Sequence, residues 1–279
     1  MSNKNKVDSK EIGLDIALIL ANYFFKTEYL HYGYFTDDLK VEPGNISIAQ
    51  ENYANYILSK IPKETKTILD VGCGAGKFAE KLLDYGFEVD CVSPSPYLTK
   101  HAKKILGDRC HIHECGYEKV ETTKKYDLVL FSESFQYIPL AEIMRQTPRF
   151  LKPRGHMLIC DFFRKDVEGR SPIGGGHDLK NFYDIMSKSP FQLLIDEDIT
   201  KETAPSMDIV NGFLTDVLHP VWDLIFYVLD HNYAWLSKIL RWKFSHKIEK
   251  VTYKYFQNKS NGENFAFFKS YHFLLYQLK

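Results

Sequence analysis

The chain carries no excess of charge of either sign, because Lys plus Arg and Asp plus Glu number 36 each. A balanced chain has no overall field that attracts nucleic acid or an acidic partner, so charge-driven binding must come from local clusters. Cysteine is scarce, and five residues, an odd number, do not form a disulfide framework. This usage is typical of a reducing compartment, so we expect a cytoplasmic protein.

Long uncharged apolar runs are also missing. No stretch reaches the roughly 18 uncharged apolar residues that a membrane-spanning helix needs. Residues 1–25 mix acids and bases before a short apolar run that Asp15 interrupts, and this does not resemble a secretory signal. We therefore expect a protein that is soluble or peripheral to a membrane.

Short apolar segments alternate with helix-sized segments along most of the chain. Strands are predicted at KTILDV, FEVDCVS, CHIHEC, YDLVLFS and HMLICDFF, and later at FQLLIDEDI and FKSYHFLLYQL. Alternation of this kind is typical of a parallel sheet covered on both faces. We predict an α/β fold with a seven-stranded, mostly parallel sheet and helices on both faces.

Four parts are predicted within this fold. Residues 1–46 form an N-terminal helical cap with the aromatic loop LHYGYF, and 47–202 form the core. Residues 203–260, helical and rich in aromatics, form an insertion or lid, and 261–279 return to the core as its final strand. The insertion thus lies between two strands of one sheet.

Helical spacing of apolar residues predicts an amphipathic helix near the amino terminus, over 9–26. Its apolar face is predicted to contain Ile12, Ile16, Ile19, Leu20 and Tyr23.

The segment TILDVGCGAG, residues 67–76, runs a predicted strand into Asp70 and then places glycine at every second position. A glycine-rich turn between a strand and a helix lets a ligand approach the backbone near the positive end of the helix dipole. A P-loop is excluded, since Val71 stands where its first glycine is needed and Phe78 follows Lys77. The dinucleotide fingerprint fails at Lys77, where its third glycine would fall.

LDVGCGAGKFAEKL resembles motif I of the class I S-adenosylmethionine-dependent methyltransferases, which have a Rossmann-like fold. YDLVLFSESFQYIP and FLKPRGHMLICDFF look like the fourth and fifth strands of the same family, and the resemblance covers nearly all of the chain. It implies S-adenosylmethionine as the cofactor and S-adenosylhomocysteine as its product. It also implies that Asp70 orders the turn and helps to hold the amino group of the ligand.

The resemblance assigns a set of residues to the cofactor site. They are Asp70, Gly72, Cys73, Gly74 and Gly76 in the turn, Ser93 and Pro94 after the second strand, Gly116, Tyr117 and Glu118 after the third, Ser132 in the fourth, and Tyr32, Tyr34 and Gln50 ahead of the core strands. Two positions depart from the family pattern. Ser93 replaces the acid that grips the ribose hydroxyls, and Gly116 replaces the acid that meets adenine, which leaves adenine to the backbone, Tyr117 or Glu118.

Ser93 and the loop LHYGYF are similar to the branch of cyclopropane-fatty-acid synthases, tocopherol methyltransferases and coclaurine-type N-methyltransferases. In that branch the aromatic segment folds over the methyl donor. Rings of Tyr32, Tyr34 or Tyr137 would then stabilise the sulfonium by cation–π attraction. The alternative is a hydrophobic contact that ties the first helix to the core.

Three residues are candidate bases, and a base matters only if the acceptor must lose a proton. Glu133 aligns with an active-site glutamate of the cyclopropane and tocopherol relatives, His31 lies in the aromatic loop, and His177 follows three glycines. For His177 the alternative is a glycine hinge, with Asp178 as the cap of the next helix.

The segment RCHIHEC contains two cysteines and two histidines, but adjacent residues of a strand face opposite sides. Cys110 therefore does not join His111 on one face, and no metal site is expected.

The insertion has a polar and an apolar side. Asp216, Asp223 and Asp230 are spaced seven apart and mark one hydrated stripe, while apolar residues surround much of the rest. That apolar face must be covered by the core, by a bulky ligand or by a membrane. Basic residues between 238 and 254 suit an anionic bilayer, so peripheral membrane contact through 205–255 is one interpretation and a solvated basic helix is the other.

The resemblance implies methyl transfer to a hydrophobic small molecule of quinone, isoprenoid, fatty acyl or polyketide type, on carbon or nitrogen in preference to oxygen. The alternative is a protein or cyclase that binds S-adenosylmethionine without transferring the methyl group. Nucleic acid is not expected as a partner, because SESFQY stands where an Asn/Asp-Pro-Pro-Tyr/Phe motif would follow the fourth strand. The oligomeric state is left open.

Overall fold

Eight strands form one sheet in the computed structural model, which describes residues 9–279. They are β1 (Thr67–Val71), β2 (Glu88–Val92), β3 (His111–His113), β4 (Tyr126–Ser132), β5 (Leu151–Arg164), β6 (His177–Asp178), β7 (Phe191–Asp198) and β8 (Lys269–Leu278). The spatial order is β3-β2-β1-β4-β5-β8-β7, and the two-residue β6 pairs with β5. Only β8 among them runs antiparallel to its neighbours β5 and β7. The predicted seven-stranded, mostly parallel sheet is confirmed, with β6 as a short addition.

Helices cover both faces of the sheet. They are α1 (Ser9–Leu20), α2 (Ile46–Lys60), α3 (Lys77–Asp84), α4 (Pro96–Leu106), α5 (Leu140–Phe150), α6 (Leu179–Ser187), α7 (Thr200–Thr203), α8 (Pro205–Gly212), α9 (His219–Asn232), α10 (Ala234–Tyr255) and α11 (Gly262–Phe268). Helices α7 to α11 lie between β7 and β8, and the last of them, α11, falls within 261–279, where only the final strand was expected. A π-helical turn, Phe213–Leu218, links α8 to α9.

Two apolar layers sandwich the sheet, because alternate strand residues face opposite sides. In the first layer, Ile68, Leu130 and Leu158 pack with α2, α3 and α4. In the second layer, Val129 and Phe131 pack with α5 and α6. The first layer also contains residues of the insertion, so the insertion is anchored over that face.

The first helix differs from its prediction. Its α-helical part ends at Leu20 and continues as a π-helical turn, Ala21–Phe25. Ile16, Ile19 and Tyr23, predicted on its apolar face, are exposed, whereas Leu18 is 4% exposed and packs with Ala75 and Leu98. The Leu18 side chain thus contacts the core at the glycine turn, while the side chain of Ile12, also predicted on the apolar face, lies outside the described part of the structure.

The insertion leaves apolar surface uncovered. Within the described residues, the stretch Thr200–Asn232 is long and apolar enough, by length and composition alone, to cross a membrane, and no part of its apolar window is buried. Asp216, Asp223 and Asp230 interrupt this stretch and are exposed, in agreement with the predicted hydrated stripe.

Candidate active site

The candidate site lies where the order of the strands in the sheet reverses. Strands β1 and β4 are adjacent, while the chain continues from β1 towards β2 and from β4 towards β5. In open α/β sheets the carboxyl ends of such a pair form the ligand crevice. Asp70 lies near the end of β1 and Glu133 directly follows β4, so both carboxyl groups belong to this crevice.

The glycine turn is bare for geometric reasons. Gly72, Gly74 and Gly76 have φ of 82°, 56° and 91°, which side chains disfavour. A Cβ atom on Gly72 would lie 2.4 Å from Cβ of Ser134, and one on Gly76 would lie 2.9 Å from Cα of Ala102. The turn is held against β2, since the Gly72 N–H donates to the Val92 carbonyl at 2.8 Å.

Asp70 is the unsatisfied group beside this turn. It is 2% exposed, and its buried Oδ2 atom has no hydrogen-bond partner among the described residues. Burial raises the pKa of Asp70 to about 7. A buried carboxyl oxygen that lacks a donor, next to backbone that a ligand can approach, fits the amino group of an amino-acid-like ligand.

The aromatic loop covers the turn from above. A Cβ atom on Gly74 would lie 3.7 Å from Cδ1 of Leu30. Gln50 on α2 holds this loop in place, because its Nε2 atom donates to the carbonyls of His31 at 2.6 Å and Tyr29 at 3.3 Å. The helix α1 and the loop therefore enclose the turn.

His31 lies in this cover as a neutral imidazole. Its ring stacks on Tyr53 at 4.4 Å, and Nδ1 is 2.8 Å from the Tyr32 carbonyl, which can only accept a hydrogen bond. Nδ1 therefore carries the proton, and the buried Nε2 atom has no partner among the described residues. Burial lowers the pKa of His31 to about 4, so Nε2 presents a free lone pair at neutral pH.

Glu133 adopts a left-handed conformation with φ of 54°. Its Oε1 atom accepts hydrogen bonds from the Tyr32 N–H at 2.5 Å and from the Tyr271 hydroxyl at 2.8 Å. Loss of solvation, together with the neighbouring carboxyl group of Asp161, raises its pKa to about 8 against the opposing effect of the two hydrogen bonds. Glu133 therefore holds its proton at neutral pH.

Two tyrosines that the sequence analysis missed surround Glu133. The hydroxyls of Tyr53 and Tyr271 are 2.8 Å apart, and the Tyr53 hydroxyl is also 3.2 Å from the Cys160 carbonyl and 3.3 Å from Oγ of Ser132. Helical spacing places Tyr53 in the core, and no local signal marks its hydroxyl.

Asp161, which is fully buried in β5, was not predicted as a site residue either. Its carboxyl group accepts from the N–H and Nε2 of Gln136 and from the Phe162 N–H. Burial raises its pKa to about 7. Asp161 could have been predicted because it is an acidic residue inside an apolar strand. The same pattern marked Asp70.

An aromatic cluster adjoins Glu133, formed by Tyr32, Phe162, Phe265 and Tyr271 with ring centroids 5.5–6.4 Å apart. The Tyr32 hydroxyl donates to Sδ of Met207 in the insertion. This cluster gives the Glu133 end of the crevice an apolar wall.

The remaining cofactor candidates are spread along the strand ends. Ser93 is buried with its N–H bonded to the His113 carbonyl, and Pro94 next to it is exposed. Cys73 is buried within the turn. The carboxyl group of Glu118 lies over Gly116, where an added Cβ would meet Oε1 at 2.4 Å.

The tyrosine candidates take different positions. The Tyr117 hydroxyl is bonded to Thr147 and its ring packs on Phe131 in the second layer, so its polar atom is already used. Tyr34 stacks on Tyr56, and Tyr137 is exposed. Among these three tyrosines, Tyr32 is bonded to Glu133, through its backbone N–H.

The imidazole of His177 is bonded to backbone carbonyls, which is typical of a structural role. Its Nε2 atom lies 3.1 Å from the Phe135 carbonyl and 3.0 Å from the Ile138 carbonyl, so it carries a proton that these acceptors share. Asp178 caps α6 by accepting from the Asn181 N–H. In the described part of the chain, no group of three or more His, Cys, Asp or Glu residues is placed to hold a metal ion.

Comparison with known proteins identifies the core. Residues 49–195 match the family model described as a methyltransferase domain. The chain is 31% identical over 105 residues to malonyl-[acyl-carrier protein] O-methyltransferase 2 of Ilyobacter polytropus, which covers 36% of this chain and 40% of that protein. The chain thus matches less than half the length of this curated relative.

Solved structures share the whole architecture. The cyclopropane synthase MmaA2 from Mycobacterium tuberculosis has a TM-score of 0.69 at 14% identity, over 99% of this chain and 100% of that one. Geranyl diphosphate C-methyltransferase from Streptomyces coelicolor A3(2), solved with S-adenosyl-L-homocysteine, has a TM-score of 0.67 at 13% identity, over 98% and 99% of the two chains. At these identities the likeness shows the fold.

The substitution Glu133→Gln is expected to flatten the pH dependence of stability. A folded-state pKa near 8, above the ordinary 4.5, means that the free energy of unfolding falls as pH rises between those values. Urea unfolding between pH 5 and pH 8 should show the wild type losing on the order of 1 kcal/mol per pH unit more than the variant. Glu142→Gln removes a surface carboxylate paired with Arg145 and serves as the control. Equal slopes for wild type and E133Q would contradict the burial of an unpaired carboxyl group.

Asp70 is expected to make ligand binding depend on pH. With a pKa near 7 in the free protein, it must ionise to pair with an ammonium group, so affinity for S-adenosylhomocysteine should rise about tenfold from pH 6 to pH 8. Asp70→Asn should lose this rise and bind at least about tenfold more weakly at pH 8. Calorimetry measures both, with the exposed Asp84→Asn as the control. Unchanged affinity in D70N would show that the turn does not hold the amino group.

Proposed function

The chain belongs to the family of methyltransferase domains, and from this we propose that it transfers a methyl group from S-adenosylmethionine to a hydrophobic small-molecule acceptor. The unpartnered Oδ2 atom of Asp70 beside the bare glycine turn is the observation that carries the proposal. The relatives act on malonyl-[acyl-carrier protein] and geranyl diphosphate by name. These acceptors differ from each other, so they support a class and not an individual compound.

The donor end of the crevice is built to hold an amino acid and a nucleoside. In this proposal, Asp70 accepts a hydrogen bond from the ammonium group of the ligand. The backbone of the turn binds the carboxylate of the ligand near the start of α3. Ser93 and Glu118 contact the ribose and the base. S-adenosylmethionine supplies an electrophilic methyl group on a sulfonium. Tyr32 is bonded to Glu133 through its backbone N–H, and we propose that its ring stabilises that positive charge by cation–π attraction.

The acceptor end is apolar with two hydrogen-bonding groups. The aromatic cluster excludes water and orients an apolar acceptor, which favours in-line displacement. The protonated Glu133 can orient a polar group of the acceptor by donating a hydrogen bond, and the lone pair of His31 Nε2 can take a proton from the acceptor. Methylation on carbon or nitrogen is favoured over oxygen.

A labelled donor tests the proposal. Incubation of the protein with methyl-labelled S-adenosylmethionine and a hydrophobic extract should move label into an extractable product, and D70N should reduce the rate at least about tenfold. The D84N variant should match the wild type. If the protein binds S-adenosylhomocysteine while no label moves to a second molecule, the alternative of a binding protein or cyclase without methyl transfer replaces this proposal.

We also propose that the α9–α10 hairpin contacts an anionic membrane surface. No residue of α9 is buried, and Val221, Leu224, Ile225 and Val228 form an exposed stripe in which Leu224 is 64% exposed. On α10, Trp235 and Trp242 are seven residues apart and therefore on one face, and Trp242 is 82% exposed.

The positive charge of α10 favours a lipid bilayer over a second copy of the chain as the partner of this surface. Helix α10 contains six basic residues and one acidic residue. Exposed tryptophan beside lysine is typical of an interfacial helix on anionic lipid. A symmetric dimer through this face would bring two basic helices together, which costs free energy.

Vesicle sedimentation checks the membrane contact. The wild type should bind phosphatidylglycerol-containing vesicles more strongly than phosphatidylcholine vesicles, with affinity that falls as salt rises. Replacement of Trp235 and Trp242 by serine should reduce binding at least about tenfold. Tyr85→Ser removes an exposed ring outside the hairpin and is the control. No sedimentation with anionic vesicles, or a stable dimer in light scattering, would overturn the contact.

A further inference from the structure

Lys269, the first residue of β8, is a buried cation without a counter-ion. It is 1% exposed, and its Nζ atom donates to the Gly175 carbonyl at 2.6 Å. Among the side chains that the structure describes, no carboxylate lies in ion-pair distance of this ammonium group. A buried charge is costly unless it is paired, so the folded chain leaves this ammonium group in need of an anion.

The position of Lys269 connects it to the acceptor end of the crevice. Lys269 and Tyr271 are two residues apart on one strand, so their side chains leave the same face of the sheet. Nζ lies 5.6 Å from the ring centroid of Phe162, a member of the aromatic cluster. Tyr271, another member, is bonded to Glu133. The ammonium group and the Glu133 carboxyl group thus flank the same apolar wall.

Lys269 supports the glycine loop, residues 174–176, through its bond to Gly175, but this contact does not explain why a charged side chain is buried here. The loop presses closely on its surroundings, since a Cβ atom on Gly175 would lie 2.2 Å from Oε1 of Gln136. Holding the Gly175 carbonyl requires one donor, whereas an ammonium group has three. A neutral amide would hold the loop without burying a charge.

A second cation reinforces the positive potential. Arg164 on β5 is the register partner of Lys269 on β8. Burial, and then the charge of Arg164, lower the pKa of Lys269 to about 8, which leaves it mostly protonated at pH 7. The positive potential of these two cations favours an anion at this position.

We propose that Lys269 binds an anionic group, a carboxylate or a phosphate, at one end of an otherwise apolar acceptor. This inference rests on the proposed function and narrows its substrate class. The acceptor then lies along the aromatic cluster, with its anionic end at Lys269 and its reactive part towards Glu133 and the glycine turn.

Calorimetry on the protein saturated with S-adenosylhomocysteine tests this assignment with three probes, dodecanoate, dodecyl phosphate and dodecanol. The wild type should bind at least one anionic probe about tenfold or more tightly than the alcohol. The comparison between dodecanoate and dodecyl phosphate identifies which anion the site prefers. Equal affinity for all three probes would overturn the assignment.

Lys269→Gln separates the charge from the loop contact, because its amide retains a donor for the Gly175 carbonyl. K269Q should lose the preference for the anion, and Lys269→Arg should retain most of it. Lys165→Gln is the matched control, since Lys165 is exposed and its Nζ atom also donates to a backbone carbonyl, that of Ala266. If K269Q keeps the preference while K165Q behaves like the wild type, Lys269 serves only the loop.

The readouts also separate this inference from the proposed function. Binding of S-adenosylhomocysteine should be unchanged in K269Q, because Lys269 does not contact the glycine turn. A wild-type protein that fails to bind S-adenosylhomocysteine overturns the proposed function and this inference with it. A protein that binds it and transfers label, but shows no anion preference, overturns the role of Lys269 alone.

Discussion

Glu133 joins three parts of the chain that are far apart in the sequence. Its backbone is bonded to β5, and its carboxyl group is bonded to Tyr32 of the aromatic loop and to Tyr271 of β8. These bonds act together with the hold of Gln50 on the loop, and they fix the positions of two members of the aromatic cluster, Tyr32 and Tyr271. The cost is a residue in the left-handed region and a carboxyl group removed from water, both of which are typical of a functional position.

The two ends of the crevice differ in how far apart in the sequence their residues lie. The donor end is made by one continuous turn, and the tight contacts of its glycines with Ser134 and Ala102 leave little freedom in its shape. The acceptor end draws its wall from the aromatic loop, β5, α11 and β8. A pattern within a few residues can therefore describe the first end, whereas the second depends on tertiary packing.

This difference explains what the sequence could predict. The strands, the glycine turn and the positions of Asp70 and Glu133 at strand ends follow from local patterns, and the mostly parallel sheet was predicted correctly. The order of the strands within the sheet was not predicted. Tyr53 and Tyr271 were missed because a tyrosine at a core position gives no sign of where its hydroxyl points. The apolar face of α1 was assigned to Ile12, Ile16, Ile19, Leu20 and Tyr23. Among the described side chains, Ile16, Ile19 and Tyr23 are exposed and Leu18 packs against Ala75 and Leu98 instead, because tertiary contacts decide which side of the helix is covered. The roles assigned to His31, His177 and the residues after β2 and β3 stay predictions.

The antiparallel strand β8 affects how the chain folds during its synthesis. It lies between β5 and β7, and β7 pairs with β8 in the described sheet. During translation β7 and the whole insertion emerge before β8, so β5 presents an open edge and β7 waits without a partner. The glycine turn is complete early, whereas Tyr271 and Lys269 arrive with the strand that closes the sheet. A nascent chain at this stage carries half of a binding crevice and an exposed β-edge, which is the state in which it most needs protection from aggregation.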